Sequence, residues 1–273
     1  MEMTSSNPSK HIEATLNYLK YEGAPPVIDG ASAQAGKQPA IPMHPTSVLI
    51  RDARAEPIAP KLDTAGFELL QHRSALLDFS DDELIRQIYY PETQQLLMRA
   101  TGASKAVIFD HAKRLDAPEA SSGSVPPVRG VHCDQTFNSG PRRVRDHLPA
   151  DEAELRLQRR CAIVNVWRPI GGPVFTAPLA FCDARSIAAE DLVPTPFVSP
   201  DKTGEVFLFK PNEAHRWFYF SHMRPDEAAL IKIFDSRTDG TARLSAHTAF
   251  DDPSTPKDAP PRRSIEVRAL VFW

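Results

Sequence analysis

From about residue 128 the chain breaks into short runs in which apolar and polar positions alternate or apolar residues dominate outright. "CAIVNVWRPI" (161–170), "APLAFCD" (177–183), "GEVFLFK" (204–210), "RWFYFS" (216–221), "ALIKIFDS" (229–236), "ARLSAHTAF" (242–250) and "SIEVRALVFW" (264–273) are rich in Val, Ile, Leu, Phe, Tyr or Trp, and several are bounded by Pro, Gly, Asn or Asp. This is the pattern of short β-strands between turns. "GEVFLFKPNEAHRWFYFS" reads as a hairpin with Pro-Asn in its turn, and "APLAFCD" as an extra strand added to the sheet. The first 120 residues differ. "IEATLNYLKY" is a short amphipathic piece, a Gly/Pro/Ala-rich loop spans 23–45, "TSVLIRDAR" alternates as a strand, and "KAVIFDHAKRL" is a second strand. "FSDDELIRQIYYPETQQLLMRATG" predicts two helices. Ser80 caps the first, the acids of 81–83 lie in its first turn, Pro91 opens the second and Gly102 ends it. A Pro/Ser/Gly-rich linker at 117–127 and a charged helical stretch, "RDHLPADEAELRLQRR" (145–160), complete the order. So many strands in one half of a chain predict a mainly β protein with flanking helices (α+β), its core a barrel or sandwich rather than a parallel sheet.

Composition narrows this. The 273 residues suit one large domain or two small ones, 26 prolines argue against a mostly helical chain, and 25% charged residues with 41% hydrophobic ones are ordinary for a globular protein. A net charge of −3 gives no electrostatic footprint for nucleic acid. Three cysteines without a C-x-x-C pair point to a reducing compartment. The first residues carry no apolar core of signal-peptide type and no run reaches the length of a membrane span, so a cytoplasmic protein without membrane attachment is expected.

Candidate chemistry begins at "RGVHCDQTF" (129–137). In a strand, His132 and Asp134 point to one side and Cys133 to the other, which is the placement of two adjacent metal ligands; a hydrogen-bonded His–Asp pair on a sheet face has the same spacing. Two histidines and a carboxylate on one face leave coordination positions open for an organic co-substrate and dioxygen. For the third ligand, His147 lies in the charged helical stretch and His222 in a polar loop. The contest is between His247, in the strand that counts as seventh of a jelly roll, and His215, beside the hairpin turn. Arg262 and Ser264 share a face at the start of the last strand, with Arg263 opposite, so together they could grip a carboxylate; a guanidinium forms paired bonds to one that lysine cannot. Asn165 and Trp167 share one face of "NVWRP" and Arg168 takes the other, so either set could line a cavity. Phe218 could line it too, or sit in the core. Lys232 amid apolar residues needs a partner if buried and could hold a carboxylate of substrate or co-substrate. Thr136 could steady Asp134 or the co-substrate.

"HCDQT", "NVWRPI", "PLAFCDARS", "AHRWFYFSHMRPDEAALIKIFDS", "HTAFDDP" and "PPRRSIEVRALVF" resemble, in order, signatures of the asaB-type hydroxylase/desaturase family. The fungal gibberellin desaturases and CmcJ-like proteins are related to it. "GFELLQHRS", "DFSDDELIRQIYYPE" and "ATGASKAVIFDH" extend the likeness through the first half. Arg263 departs from the pattern, where relatives are expected to carry an acid. The resemblance implies a double-stranded β-helix (jelly-roll) oxygenase using Fe(II), dioxygen and 2-oxoglutarate on a small secondary-metabolite substrate. It implies His132, Asp134 and His247 as iron ligands and Arg262, with Ser264, on the co-substrate. Residues 1–273 would form a single oxygenase domain, with 1–120 a mixed α/β region packed on a jelly-roll core at 128–273. A cupin-like metal-dependent isomerase or hydrolase, and a non-catalytic accessory barrel, are the competing classes.

Overall fold

A computed structural model describes residues 11–30, 41–117, 124–199 and 202–273. The start of the chain (1–10), the middle of the 23–45 loop (31–40), the middle of the 117–127 linker (118–123) and residues 200–201 lie outside the described residues.

Two sheets face each other. The larger contains β1 (His11–Leu19), β2 (Ile28–Asp29), β3 (Met43–Asp52), β6 (His132–Cys133), β8 (Leu179–Cys182), β9 (Leu192–Ser199), β10 (Lys202–Phe209), β11 (Trp217–Tyr219) and β13 (His247–Ala249). Their order across the sheet is β1-β3-β11-β8-β13-β6-β10-β9-β2. The smaller sheet is antiparallel throughout, in the order β4-β12-β7-β14-β5: β4 (Phe67–Gln71), β5 (Lys105–Leu115), β7 (Cys161–Pro169), β12 (Glu227–Asp235) and β14 (Arg263–Phe272). This is a double-stranded β-helix with helices on its flank. Its core lies between the sheets, where Phe67 of one stacks on Phe181 of the other with ring centroids 5.1 Å apart.

Local pattern explains the elements. β1 alternates, with Ile12, Ala14, Leu16 and Tyr18 buried and Glu13 exposed, because only one of its faces meets the core. β7 and β12 are buried at every position, since a second apolar layer covers the outer face of the smaller sheet. There Leu96 and Leu97 of α1 (Tyr90–Thr101) join Val164, Val166, Leu230 and Val271. At roughly 1.5–3 kcal/mol per buried aliphatic side chain, this layer contributes substantially to holding the helix. The two helices expected over 80–102 are one continuous helical run. A π-turn over Ile85–Tyr89 leads into α1, and the wider turn accommodates Pro91, which has no N–H to donate back along the helix. The cap is Asp81, whose carboxylate accepts from Glu83 N at 2.7 Å, while Ser80 turns back to Asp78. Gly102 ends the helix in the left-handed region at φ 68°. The charged stretch forms two helices, α2 (Ser139–His147) and α3 (Ala150–Leu157), parted by Pro149.

Two pairings differ from the sequence reading. β10 and β11 are not a hairpin: β10 lies between β6 and β9, and β11 between β3 and β8. β8 is central, paired to β11 and β13, and carries the core ring Phe181. The 210–216 segment is thus a crossing between distant positions in the sheet.

Candidate metal centre and co-substrate cavity

His132 and His247 are cross-strand partners of β6 and β13, so their side chains leave the same face of the sheet. Their ring centroids are 4.5 Å apart. Asp134 follows directly after β6 and turns to the same side, with Oδ1 3.5 Å from His132 Nε2. One potential ligand atom from each of the three residues lies within 4.8 Å of the others.

The other atoms of these groups are already engaged. His132 Nδ1 is 2.8 Å from the Gly130 carbonyl oxygen and His247 Nδ1 is 3.3 Å from that of Ser245. A carbonyl only accepts, so both Nδ1 atoms carry the proton and both Nε2 lone pairs face inward. Ser245 is itself pinned to β12, its N donating to the Lys232 carbonyl at 2.8 Å. Asp134 Oδ2 accepts from Asn165 Nδ2 at 2.8 Å and Arg268 Nε at 3.0 Å, which leaves Oδ1 for the histidine side. Burial pushes the Asp134 carboxyl up, but the Arg268 guanidinium, with His132, holds it well below the usual carboxylate range. Burial and the neighbouring His132 push His247 down to about 3. The result is an ionised Asp134 carboxylate beside a neutral His247 imidazole, with the Nε2 of both histidines turned to the same side. Two nitrogen donors and one oxygen donor, gathered on one side, suit ferrous iron with open positions.

The same histidines line a cavity with Arg114, Val128, Trp167, Leu179, Ala249, Arg262 and Glu266. Arg262 is 3% exposed and has no carboxylate partner among the described residues. Its Nη1 donates to the Ala177 carbonyl, its guanidinium sits 5.5 Å from the centre of the Trp167 ring, and its buried Nε has no partner there. Burial, then the nearby charge of Arg114, lowers it to about 9. Ser264 Oγ is likewise buried and unpartnered among the described residues. Buried donors without acceptors are costly, so a carboxylate arriving here meets groups that gain by it. The donor set thus fits iron, and the orphaned donors fit an acidic co-substrate.

Of the remaining expected residues, Asn165 and Trp167 face this region, Asn165 by holding Asp134 and Trp167 as a cavity wall. Arg168 points away from it, donating to His72 Nδ1 at 2.5 Å and to the Pro225 carbonyl at 3.4 Å. Phe218 packs on Phe67 in the core at a centroid distance of 5.8 Å and is not a cavity wall. Lys232 does find carboxylates, but they are the protein's own: Nζ is 2.6 Å from Asp235 and 2.7 Å from Asp63, on the outer face of the sheet. Thr136 caps a turn, its Oγ1 accepting from Ser139 N at 3.0 Å and donating to Glu205 at 2.8 Å; among the described residues it makes no hydrogen bond to Asp134. His215 is bound elsewhere, between Asp191 at 3.0 Å and the Tyr18 hydroxyl at 2.9 Å.

Arg268, Glu266 and Arg114 were not anticipated. Ser264, Glu266 and Arg268 alternate along β14 and so share the inward face, where Arg268 also pairs with Glu266 at 2.9 Å and Asp110 at 3.1 Å. The signal was there: two charges at i and i+2 inside the apolar run "SIEVRALVF" need buried partners. Burial raises Glu266 above the usual carboxylate range despite Arg268.

Residues 16–272 match the Oxidoreductase/YMDC permease-like domain family. The chain is 37% identical over 251 residues to hydroxylase/desaturase CTB9 of Cercospora beticola, covering 83% of this chain and 76% of that protein. It is 35% identical over 235 residues to the Fe(II)/2-oxoglutarate-dependent dioxygenase nvfI of Aspergillus novofumigatus, covering 84% of each. The solved structure of the iron and alpha-ketoglutarate-dependent endoperoxidase NvfI superimposes with a TM-score of 0.84 at 31% identity, over 96% of this chain and 98% of that one. With its fold and its His–Asp–His cluster, this chain belongs to the hydroxylase/desaturase family of Fe(II)/2-oxoglutarate-dependent dioxygenases.

Proposed function

We propose that His132, Asp134 and His247 hold the ferrous ion and that Arg262, with Ser264, seats the distal carboxylate of 2-oxoglutarate, in an enzyme that hydroxylates, desaturates or oxidatively cyclises a small natural product. One observation carries the reading: three ligating atoms converge while each residue's remaining polar atom is occupied by the protein itself. Iron bound there supplies, with 2-oxoglutarate and dioxygen, the oxidising power to take hydrogen from an unactivated carbon.

The chain's own residues do the rest. The Gly130 and Ser245 carbonyls fix each imidazole's tautomer and ring angle, and Asn165 and Arg268 fix the carboxylate. Trp167 backs Arg262, while Val128, Leu179 and Ala249 provide apolar walls that exclude water and hold substrate carbon. Outcome then depends on which carbon those walls present, since displacements of about 1 Å change rates by orders of magnitude. The relatives' names span hydroxylase/desaturase and endoperoxidase, which supports a small metabolite as substrate and leaves the product to the walls. The charge of −3 supports a partner other than nucleic acid, and three free, buried cysteines support a cytoplasmic setting. We read residues 1–273 as one oxygenase domain, with the metal site in 128–273 and the 1–120 region built against it.

Anaerobic addition of Fe(II) and 2-oxoglutarate should produce a visible charge-transfer band, and aerobic incubation should yield succinate. A protein that binds iron without either signal would belong to the isomerase or hydrolase class instead.

A further inference from the structure

Arg262 is not the only uncompensated guanidinium in the cavity. Arg114, near the end of β5, lines it too, and no carboxylate among the described residues lies within ion-pair distance of it. Its Nη1 donates to the Pro126 carbonyl at 2.9 Å. Strand register brings the two arginines together. Arg114 is the direct cross-strand partner of Ser264, so both side chains leave the same face, and the ladder continues to Arg262, whose carbonyl accepts from Asp116 N at 2.9 Å. The acids nearby are committed: Asp116 to Arg129 at 2.9 Å and Glu266 to Arg268 at 2.9 Å. Arg114 is the foremost charge acting on Arg262, and burial lowers the pKa of both. Two guanidiniums therefore share one cavity wall, with the orphaned Ser264 hydroxyl beside them in the strand register. The Glu266 carboxyl on that wall is bonded to Arg268, so neither guanidinium has an ion-pair partner among the described residues and each gains from an entering anion.

We propose that Arg114 is a second guanidinium of the Arg262–Ser264 seat and binds the same distal carboxylate of the 2-oxo acid co-substrate. The inference rests on reading the cavity as the co-substrate pocket. A carboxylate has enough lone pairs for two forked donors and a hydroxyl. It relieves the repulsion between the arginines as well as satisfying their N–H groups. A 2-oxo acid without the second carboxylate gains none of this.

The test is calorimetric titration of the full-length protein loaded with Mn(II), under anaerobic conditions, with 2-oxoglutarate and with pyruvate, which lacks the distal carboxylate. Arg114→Met and Arg262→Met should each weaken 2-oxoglutarate binding about tenfold or more, the loss of one charge-assisted contact. Pyruvate and Mn(II) affinities should stay within about twofold. The double variant should lose less than the two single losses multiplied, because both residues serve one group. If Arg114→Met misfolds, Arg114→Lys replaces it: charge without the fork should give a smaller loss for 2-oxoglutarate and none for pyruvate. Wild-type 2-oxoglutarate affinity in the Arg114 variants, with affinity lost in Arg262→Met, overturns the shared seat and leaves Arg114 to a substrate acid. Failure of the wild-type Mn(II) protein to bind 2-oxoglutarate at all overturns instead the reading of the cavity on which the inference rests.

Discussion

Asn165 and Arg268 hold the Asp134 oxygen that points away from the histidines, so their effect on metal binding should be felt through that carboxylate. Replacing Arg268 by Ala should weaken Fe(II) or Mn(II) binding about 10- to 100-fold, the range for lost partners of metal ligands, as read by direct metal titration. An unchanged metal affinity would mean that Asp134 keeps its orientation unaided. His247→Ala should abolish tight metal binding and His215→Ala should not, since His215 is spent on Asp191 and Tyr18. Metal retained by the His247 variant would refute the assignment. The H-x-D pair was legible in the sequence because period-two geometry is local. The choice between His215 and His247 was not, because it depends on which strands become neighbours. Lys232 shows the limit of a sound argument: a lysine in an apolar run did need an acid, and Asp235, three residues on, was already in the chain.

Among the strands, the Lys232 cluster stabilises the outer face of the smaller sheet where β12 and β7 shift register between Lys232 and Phe234. Lys232 and Asp235 are both fully buried, and Arg160 adds a second cation to Asp235 at 2.7 Å. Removing one partner of a buried pair costs about 3–5 kcal/mol; with Arg160 still in place, Lys232→Met should fall near 3 kcal/mol in urea denaturation. Mn(II) affinity should be unchanged, and a loss of less than about 1 kcal/mol would show that Arg160 suffices. Most strands were legible as apolar runs, including β5, β7, β12 and β14. The 80–102 helix was legible in extent but not in its unbroken course, because a π-turn is a response to Pro91 and has no pattern of its own. The β10–β11 hairpin failed for a different reason. Pro-Asn between two apolar runs is an ordinary turn signal, yet in this fold it starts a crossing to the opposite side of β8 and β13.

Taken together, the buried titratable groups set the acid response of the folded protein. His215 has an imidazole 1% exposed and a pKa lowered by burial against the pull of Asp191. The unfolded chain takes up a proton there near pH 6.5 and the folded one does not. That contribution to stability is full above pH 6.5 and shrinks as the pH falls below it. Glu227 is the carboxylate case: burial raises it, but Arg54, bonded to both oxygens at 2.8 and 2.7 Å, brings it below its ordinary 4.5. Its contribution is present above pH 4.5 and is lost as the pH drops through the lowered value. Urea midpoints should therefore decline from pH 7 to 5 and again below 4.5; a midpoint that rises on acidification to pH 5 would contradict the first step.

Asn17 of β1 ties the beginning of the chain to the metal centre. Its carbonyl accepts from Val131 N at 2.8 Å and its side chain donates to the Arg129 carbonyl at 3.0 Å, on either side of the Gly130 that orients His132. A fragment begun near residue 128 would contain every proposed ligand and still lack the rail on which the first of them is hung. Supplying residues 1–120 as a separate peptide should restore metal uptake to such a fragment, so the protein invites splitting into two halves whose reunion is reported by the metal itself.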